Sequence, residues 1–303
     1  MNNGKVDWHG CFVAVVTPFT RSGDLDERAF SENIEWLIGE GTNGIVVSGC
    51  TGEAWSLTES ERLRAFERAV DAAAGAVPVI AGIGNIRTET VVEFGLAAKA
   101  AGVAGAMVLP PYYCLPSDDE VVEHYQRISD GIELPILLYN TPGRTRVDLV
   151  PDLLERIVQA EYVVAIKESS AEFLRVERLL NKFSDAIQVM TGHSADRGVP
   201  SVLMGAKGWV SSLETQILGE EAISMYRLAT SGQVEEANRI QLKTVKLDEE
   251  IRRFGTFPAN LKAAMNLLGR SGGYPRSPLL PLSDEQTAGV RGVLESMDLA
   301  VKA

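Results

Sequence analysis

The sequence is expected to fold as an α/β protein, a (β/α)8 TIM barrel with a C-terminal helical region. Three observations lead there: short β-branched runs alternate with longer segments of helical period, eight such runs can be counted, and one glycine-spaced joint recurs between helix and strand. Alternation of this kind feeds βαβ units into a parallel sheet whose strands are buried on both faces.

The eight runs span residues 12–17, 44–48, 77–82, 105–109, 136–140, 163–167, 187–192 and 208–211. The crossovers between them read as helices over 27–38, 58–74, 88–101, 118–129, 151–159, 172–181 and 195–204. Start signals support these positions. Thr58-Glu59-Ser60-Glu61 has the pattern of a capping box, and Pro151 suits the first turn of a helix. The recurring joint is Gly41-x-x-Gly44, Gly102-x-x-Gly105 and Gly205-x-x-Gly208. Glycine there suits a left-handed helix cap followed by a tight entry into the sheet. Three copies favour a closed, repetitive barrel over the open doubly wound sheet that alternation alone would also allow.

A chain of 303 residues could hold two average domains, but one barrel of about 250 residues fits equally well. Residues 1–230 are assigned to the catalytic barrel. After Ser231 no strand pattern follows; 234–252, 259–268 and 284–299 read as helices, with a breaker-rich stretch at 269–282. The region 231–303 is therefore expected to pack as helices on the barrel or on a partner subunit, with no Gly/Ser linker between.

Composition narrows the function. Hydrophobic residues make up 45% and charged residues 23%, ample for a core, while a net charge of −12 repels phosphate backbones and anionic lipid. Neither nucleic acid nor a membrane is an expected partner. The first ten residues carry Lys5, Asp7 and His9 and read as neither signal peptide nor anchor. Cys11, Cys50 and Cys114 are too scattered for a disulfide framework, and His9, His124 and His193 lack ligand spacing. The cytoplasm is the default location. Catalysis is expected to proceed without a metal.

In a barrel of this type the active site lies at the C-terminal ends of the strands. Those ends carry Ser48-Gly49-Cys50-Thr51-Gly52-Glu53, Pro110-Pro111-Tyr112-Tyr113, Tyr139-Asn140, Lys167-Glu168 and Gly192-His193. Lys167 closes the apolar run Val163-Val164-Ala165-Ile166, where desolvation lowers an amine's pKa and frees the neutral form that attacks a carbonyl. An isolated strand-end lysine more often snorkels to water, so the neighbours decide. Tyr139 ends the preceding strand and could shuttle protons, although alone it reads as a rim aromatic. The Gly49-Cys50-Thr51-Gly52 turn offers backbone N–H groups and one hydroxyl to a carboxylate, a signal of low specificity by itself.

Further motifs, spread over nearly the whole chain, add to these. They are Ala14-Val15-Val16-Thr17-Pro18-Phe19, the 49–53 turn followed by Leu57-Thr58, Pro111-Tyr112-Tyr113, Tyr139-Asn140-Thr141-Pro142-Gly143-Arg144-Thr145 and Ile166-Lys167-Glu168. In this order the sequence resembles the dihydrodipicolinate synthase / N-acetylneuraminate lyase family of Schiff-base-forming 2-oxo acid lyases and synthases. The resemblance implies that Lys167 forms the Schiff base with pyruvate or a related 2-oxo acid, with no separate cofactor, and that Tyr139 is the proton shuttle. It implies that Thr51, with the amides of Gly49 and Cys50, holds the pyruvate carboxylate. Tyr113 matches a tyrosine donated across a dimer interface, and Arg144 matches the arginine that holds an aldehyde substrate's carboxylate. Gly192 and Val210, on the last two strands, are expected to complete the substrate pocket. A homotetramer built from two dimers, or a homodimer, is implied with them.

Two departures from the family pattern stand out. Cys50 replaces the usual hydroxyl in the turn, and a thiol is a weak hydrogen-bonding link between the two tyrosines. His193-Ser194-Ala195, with Trp209 and Glu214, is expected near the second substrate. The leading reading is an aldol condensation of the dihydrodipicolinate synthase type. Aldol cleavage or dehydration of a 2-keto-3-deoxy sugar acid is the alternative on the same scaffold, and a silent 2-oxo acid-binding barrel is the alternative of another class.

Overall fold

In the computed structural model, which describes residues 6–172 and 174–302, eight parallel strands close on themselves in the order β1 to β8. They are β1 (Gly10–Ala14), β2 (Gly44–Val47), β3 (Val79–Gly82), β4 (Gly105–Val108), β5 (Ile136–Asn140), β6 (Val163–Glu168), β7 (Gln188–Thr191) and β8 (Gly208–Ser211). β1 pairs with β8 through Gly10 to Gly208 and Phe12 to Val210, which completes the barrel. The expected fold class is the one observed. Residues 1–5, half of the stretch read as neither signal nor anchor, lie outside the described residues, as does Phe173 in the expected helix 172–181.

Helices α1 (Glu27–Gly39), α2 (Glu59–Ala73), α3 (Thr88–Ala101), α4 (Asp118–Ile132), α5 (Pro142–Thr145), α6 (Pro151–Ile157), α7 (Arg175–Phe183) and α8 (Ser194–Leu203) connect successive strands. The box at Thr58 forms as its sequence implies, with Glu61 N–H donating to the Thr58 hydroxyl and Thr58 N–H donating to the Glu61 carboxylate. Two apolar layers result. Phe12, Val46, Ile80, Met107, Leu137 and Met190 fill the barrel, while a larger cluster lies between the strands and the helices.

The three glycine joints show both parts of their logic. Gly41, Gly102 and Gly205 take φ of +92°, +88° and +113°, the left-handed region that a side chain disfavours. Their partners are needed for space: a Cβ on Gly44 would sit 2.1 Å from the Phe12 ring, and one on Gly105 2.5 Å from the Trp8 ring. Trp8 and Phe12 thus plug the lower end of the barrel against strand entries that carry no side chain. Gln188 fastens the plug, accepting from Trp8 N–H at 3.1 Å and donating to the Val6 carbonyl at 2.7 Å.

β1 is shorter than the expected run 12–17, because Val16 N–H turns away from the ladder to the Gln216 side chain at 3.0 Å. Gln216 belongs to α9 (Leu213–Leu218), which with α10 (Glu220–Thr230) was not anticipated. Every residue of α9 is buried, so it shows no apolar-to-polar period to read. The remaining helices are α11 (Val234–Ile251), α12 (Phe257–Leu267) and α13 (Asp284–Ser296). α11 lies on α8, where the Gln241 amide accepts from Val199 N–H at 2.8 Å and donates to the Ser194 carbonyl at 2.9 Å. After α12 the chain returns to the upper end of the barrel, and Tyr274 N–H donates to the Phe19 carbonyl at 2.9 Å. Among the described residues no helix is long and apolar enough to cross a membrane.

Candidate active site

The inward aim of Lys167 depends on an irregularity in β6. Ile136 pairs with Val163, but the next residue, Leu137, pairs with Ala165, so Val164 is an extra residue in the strand. Val164 and Ala165 both belong to the barrel interior, and Ile166 belongs to the outer layer. Strict alternation from the outward Val163 would send residue 167 outward as well. The bulge resets the phase, and Lys167 comes inside opposite Tyr139, its register partner on β5.

On the outer side of the same strand ends, a hydrogen-bonded frame holds both residues in place. Asn140 donates to Glu168 at 2.9 Å and to Asp148 at 3.0 Å, and accepts from Leu149 N–H at 3.0 Å. Asp148 is in turn gripped by Arg175 through two bonds of 2.9 and 3.0 Å. These bonds leave the inner faces of β5 and β6 little freedom to slip.

Lys167 is 7% exposed, and its ammonium lies 4.3 Å from the centre of the Tyr139 ring. Burial brings its pKa down to about 8; Arg144 pushes the same way, while Cys50 and Glu214 oppose. At pH 7 such an amine is neutral in roughly one molecule in ten, against fewer than about one in a thousand for an ordinary lysine. Gly192 makes room for it, since a Cβ there would fall 2.7 Å from Lys167 Cε.

Burial raises the Tyr139 pKa well above that of a free phenol; Cys50, in hydrogen-bonding reach, raises it further, while a hydrogen bond from Thr141 and the charge of Arg144 oppose. The phenol therefore stays protonated and can give or take a proton only in concert with a neighbour. The 49–53 turn packs beside it, buried at Thr51 and closed by the Thr17 hydroxyl donating to the Gly52 carbonyl at 2.7 Å. A cavity of about 470 Å3 opens here, with Ser48, Gly49, Cys50, Tyr112, Tyr139 and Arg144 in its wall. It is large enough for a three-carbon acid and a second small substrate.

Lys167, Tyr139, Cys50, Gly49, Arg144 and Gly192 are thus brought together, with Thr51 in the adjoining turn. Val210 lies in the barrel interior with Tyr139 and Met190, and Cys50 packs against that cluster. Tyr113 stands apart from them, 89% exposed with φ of 71°, while its neighbour Tyr112 faces the cavity. His193 is half-buried at the mouth, its ring nitrogen 3.2 Å from the Ser169 carbonyl.

Trp209 and Glu214 are corrections to the expected second-substrate contacts. Trp209 faces outward on β8, fully buried in the barrel-to-helix layer with its ring edge-on to Tyr226. Glu214 is buried behind the strand ends, bonded by the Ser194 and Ser211 hydroxyls. Burial raises its pKa, and the two hydroxyls oppose the rise. A residue lining the site that the sequence did not single out is Arg62, whose guanidinium donates to the Gly82 carbonyl at the cavity wall. A charge within the otherwise apolar face of α2 was the available signal for Arg62.

Comparison with known proteins agrees with the fold and gives the family. The Dihydrodipicolinate synthetase family matches residues 7–297. A 4-hydroxy-tetrahydrodipicolinate synthase of Oceanobacillus iheyensis is 36% identical over 98% of each chain. An uncharacterised DapA-like lyase of Rhizobium meliloti is 35% identical over 97% of this chain and 98% of its own. The crystal structure of dihydrodipicolinate synthase from Aquifex aeolicus superposes with a TM-score of 0.91 at 32% identity, covering 98% of this chain and all of that one.

Acetic anhydride, which acylates neutral amines and does not itself titrate in this range, reads the lowered pKa directly. Its rate at Lys167, followed by peptide mass spectrometry, is expected to rise from pH 6 to about 8 and level off above about 9. A rate that keeps climbing past pH 10 at Lys167, as at an ordinary surface lysine, would show an amine of normal pKa.

Proposed function

The chain belongs to the dihydrodipicolinate synthetase family, and on that footing we propose a lysine-dependent synthase of the 4-hydroxy-tetrahydrodipicolinate type, with Lys167 as its Schiff-base residue. The observation that carries the residue assignment is a buried amine of lowered pKa facing a buried phenol across adjacent strands.

Neutral Lys167 Nζ attacks the carbonyl carbon of pyruvate, and the resulting carbinolamine loses water as Tyr139 supplies a proton to the departing hydroxyl. Loss of a methyl proton then gives the enamine, whose carbon attacks the aldehyde of the second substrate. Hydrolysis or cyclisation releases the product and restores the lysine. Thr51 and the turn amides hold the pyruvate carboxylate, with Gly192 and Val210 bounding the same pocket. Arg144, exposed at the edge of the cavity, receives a carboxylate on the aldehyde. No metal or separate cofactor enters this scheme.

Tyr113 acts from a neighbouring subunit in a dimer, alone or within a tetramer. Its exposure, next to exposed Leu115 and close in sequence to cavity-lining Tyr112, supports an interface there. Three unpaired cysteines are compatible with a reducing cytoplasm. Cleavage or dehydration of a keto-deoxy sugar acid is the second reading, and the thiol of Cys50 beside the Tyr139 hydroxyl is what favours it.

Tyr139→Phe is expected to lower turnover by about a hundredfold to ten-thousandfold while pyruvate binding changes little, because the hydroxyl is needed for proton transfer. Steady-state kinetics showing an unchanged turnover number would move the shuttle to another group.

Cys50→Thr and Cys50→Ser separate the two readings when assayed with the synthase aldehyde and with one keto-deoxy acid. In a synthase the Thr variant gains turnover on the aldehyde, since a hydroxyl relays protons better than a thiol. A fall in activity on the sugar acid with no gain on the aldehyde supports the second reading instead.

A further inference from the structure

Glu53, the last residue of the 49–53 turn, is fully buried with φ of 50°, a backbone conformation that a non-glycine residue adopts at a cost. Its main chain ties the turn together. Glu53 N–H donates to the Cys50 carbonyl at 3.1 Å, and its carbonyl accepts from Ser56 N–H at 2.8 Å. Its carboxylate does not reach the cavity. One oxygen pairs with Lys262 of α12, itself 1% exposed, and the other accepts from Arg276 N–H at 3.1 Å.

The two basic residues are themselves fixed. Lys262 also donates to the Tyr274 carbonyl at 2.9 Å and lies 4.5 Å from the centre of the Phe19 ring. Arg276 covers the same ring at 4.0 Å, grips Glu61 through bonds of 2.6 and 2.7 Å, and donates to the Ser56 carbonyl at 2.9 Å. An ion pair taken wholly out of water contributes little net stability, because desolvation offsets its attraction. What it supplies is a fixed direction and length, joined here to a strained turn that ends one residue after the carboxylate cradle.

We propose that Glu53 and Lys262, with the Arg276 main chain, are positioning residues for the carboxylate-binding turn, so that the C-terminal region sets the affinity for the 2-oxo acid. The proposal rests on the reading that residues 49–52 receive that carboxylate. Release of Glu53 lets the turn relax from its positive φ and carries the Thr51 hydroxyl and the turn amides away from the carboxylate. The amine, held on a different strand, stays where β6 puts it. The prediction is therefore selective: recognition of the carboxylate fails while reactivity toward a carbonyl persists.

Cyanoborohydride trapping at Lys167, quantified by peptide mass, distinguishes the two when pyruvate is compared with acetone, a ketone without a carboxylate. Glu53→Gln, Lys262→Met and the double variant are compared with wild type after a thermal melt has shown each to be folded. For either single variant the pyruvate concentration for half-maximal trapping is expected to rise about tenfold or more, with acetone trapping changed by less than about twofold. The double variant should be no worse than the worse single one, as expected for residues acting as a unit. Glu53→Gln keeps volume and shape, so it carries the test if Lys262→Met fails to fold. Equal losses for pyruvate and acetone, or no change for either, overturn the proposal. Wild type that traps acetone but shows no preference for pyruvate, or traps neither, overturns the carboxylate reading and the proposal together.

Discussion

The phase of β6 decides which side of the barrel wall its lysine occupies, and the extra residue at Val164 sets that phase. With the bulge, Lys167 faces Tyr139 across a pair of adjacent strands; without it, the amine would point into the layer of helices and would not meet the phenol. The outer side of the same pair is closed by Asn140, Glu168, Asp148 and Arg175, a network that resists slippage of one strand against the other. A reactive inner face and a bonded outer face are two aspects of a single register. The placement of Gly192, which leaves space for the lysine stem, follows from the same alignment.

Among the described residues two lysines have pKa values brought down to about 8 by burial, and their surroundings assign them different work. Lys262 is clasped by a buried carboxylate and a main-chain carbonyl. Lys167 faces a phenol, with a thiol and a cavity nearby. A lowered pKa alone therefore does not identify a nucleophile, because structural ion pairs produce one too. Access to a carbonyl and a proton donor within reach make the difference, and of these two lysines the one on β6 faces a phenol beside a cavity.

The fold was legible because its signals are local. β-branched runs, capping residues and the glycine joint each act over a few residues, and Gly44 and Gly105 prove to be needed where aromatic rings cross the strand entries. The strand-end motifs likewise located Lys167, Tyr139 and Cys50 at one mouth. What escaped the sequence depends on distant partners. The all-buried α9 has no period, the β6 bulge is visible only once Leu137 pairs with Ala165, and nothing near Glu53 announces Lys262. Trp209 was misjudged because a strand-end position was read without its facing. Its neighbours on β8 alternate, so Val210 turns inward and the indole turns out.

The central claim is that one amine, aimed inward by the β6 bulge, attacks a 2-oxo acid. Incubation with pyruvate and borohydride followed by intact-mass and peptide mapping tests it most directly. The account predicts one reduced pyruvate adduct per chain, on Lys167. No adduct, or an adduct on Lys207 or Lys243 in its place, would contradict it.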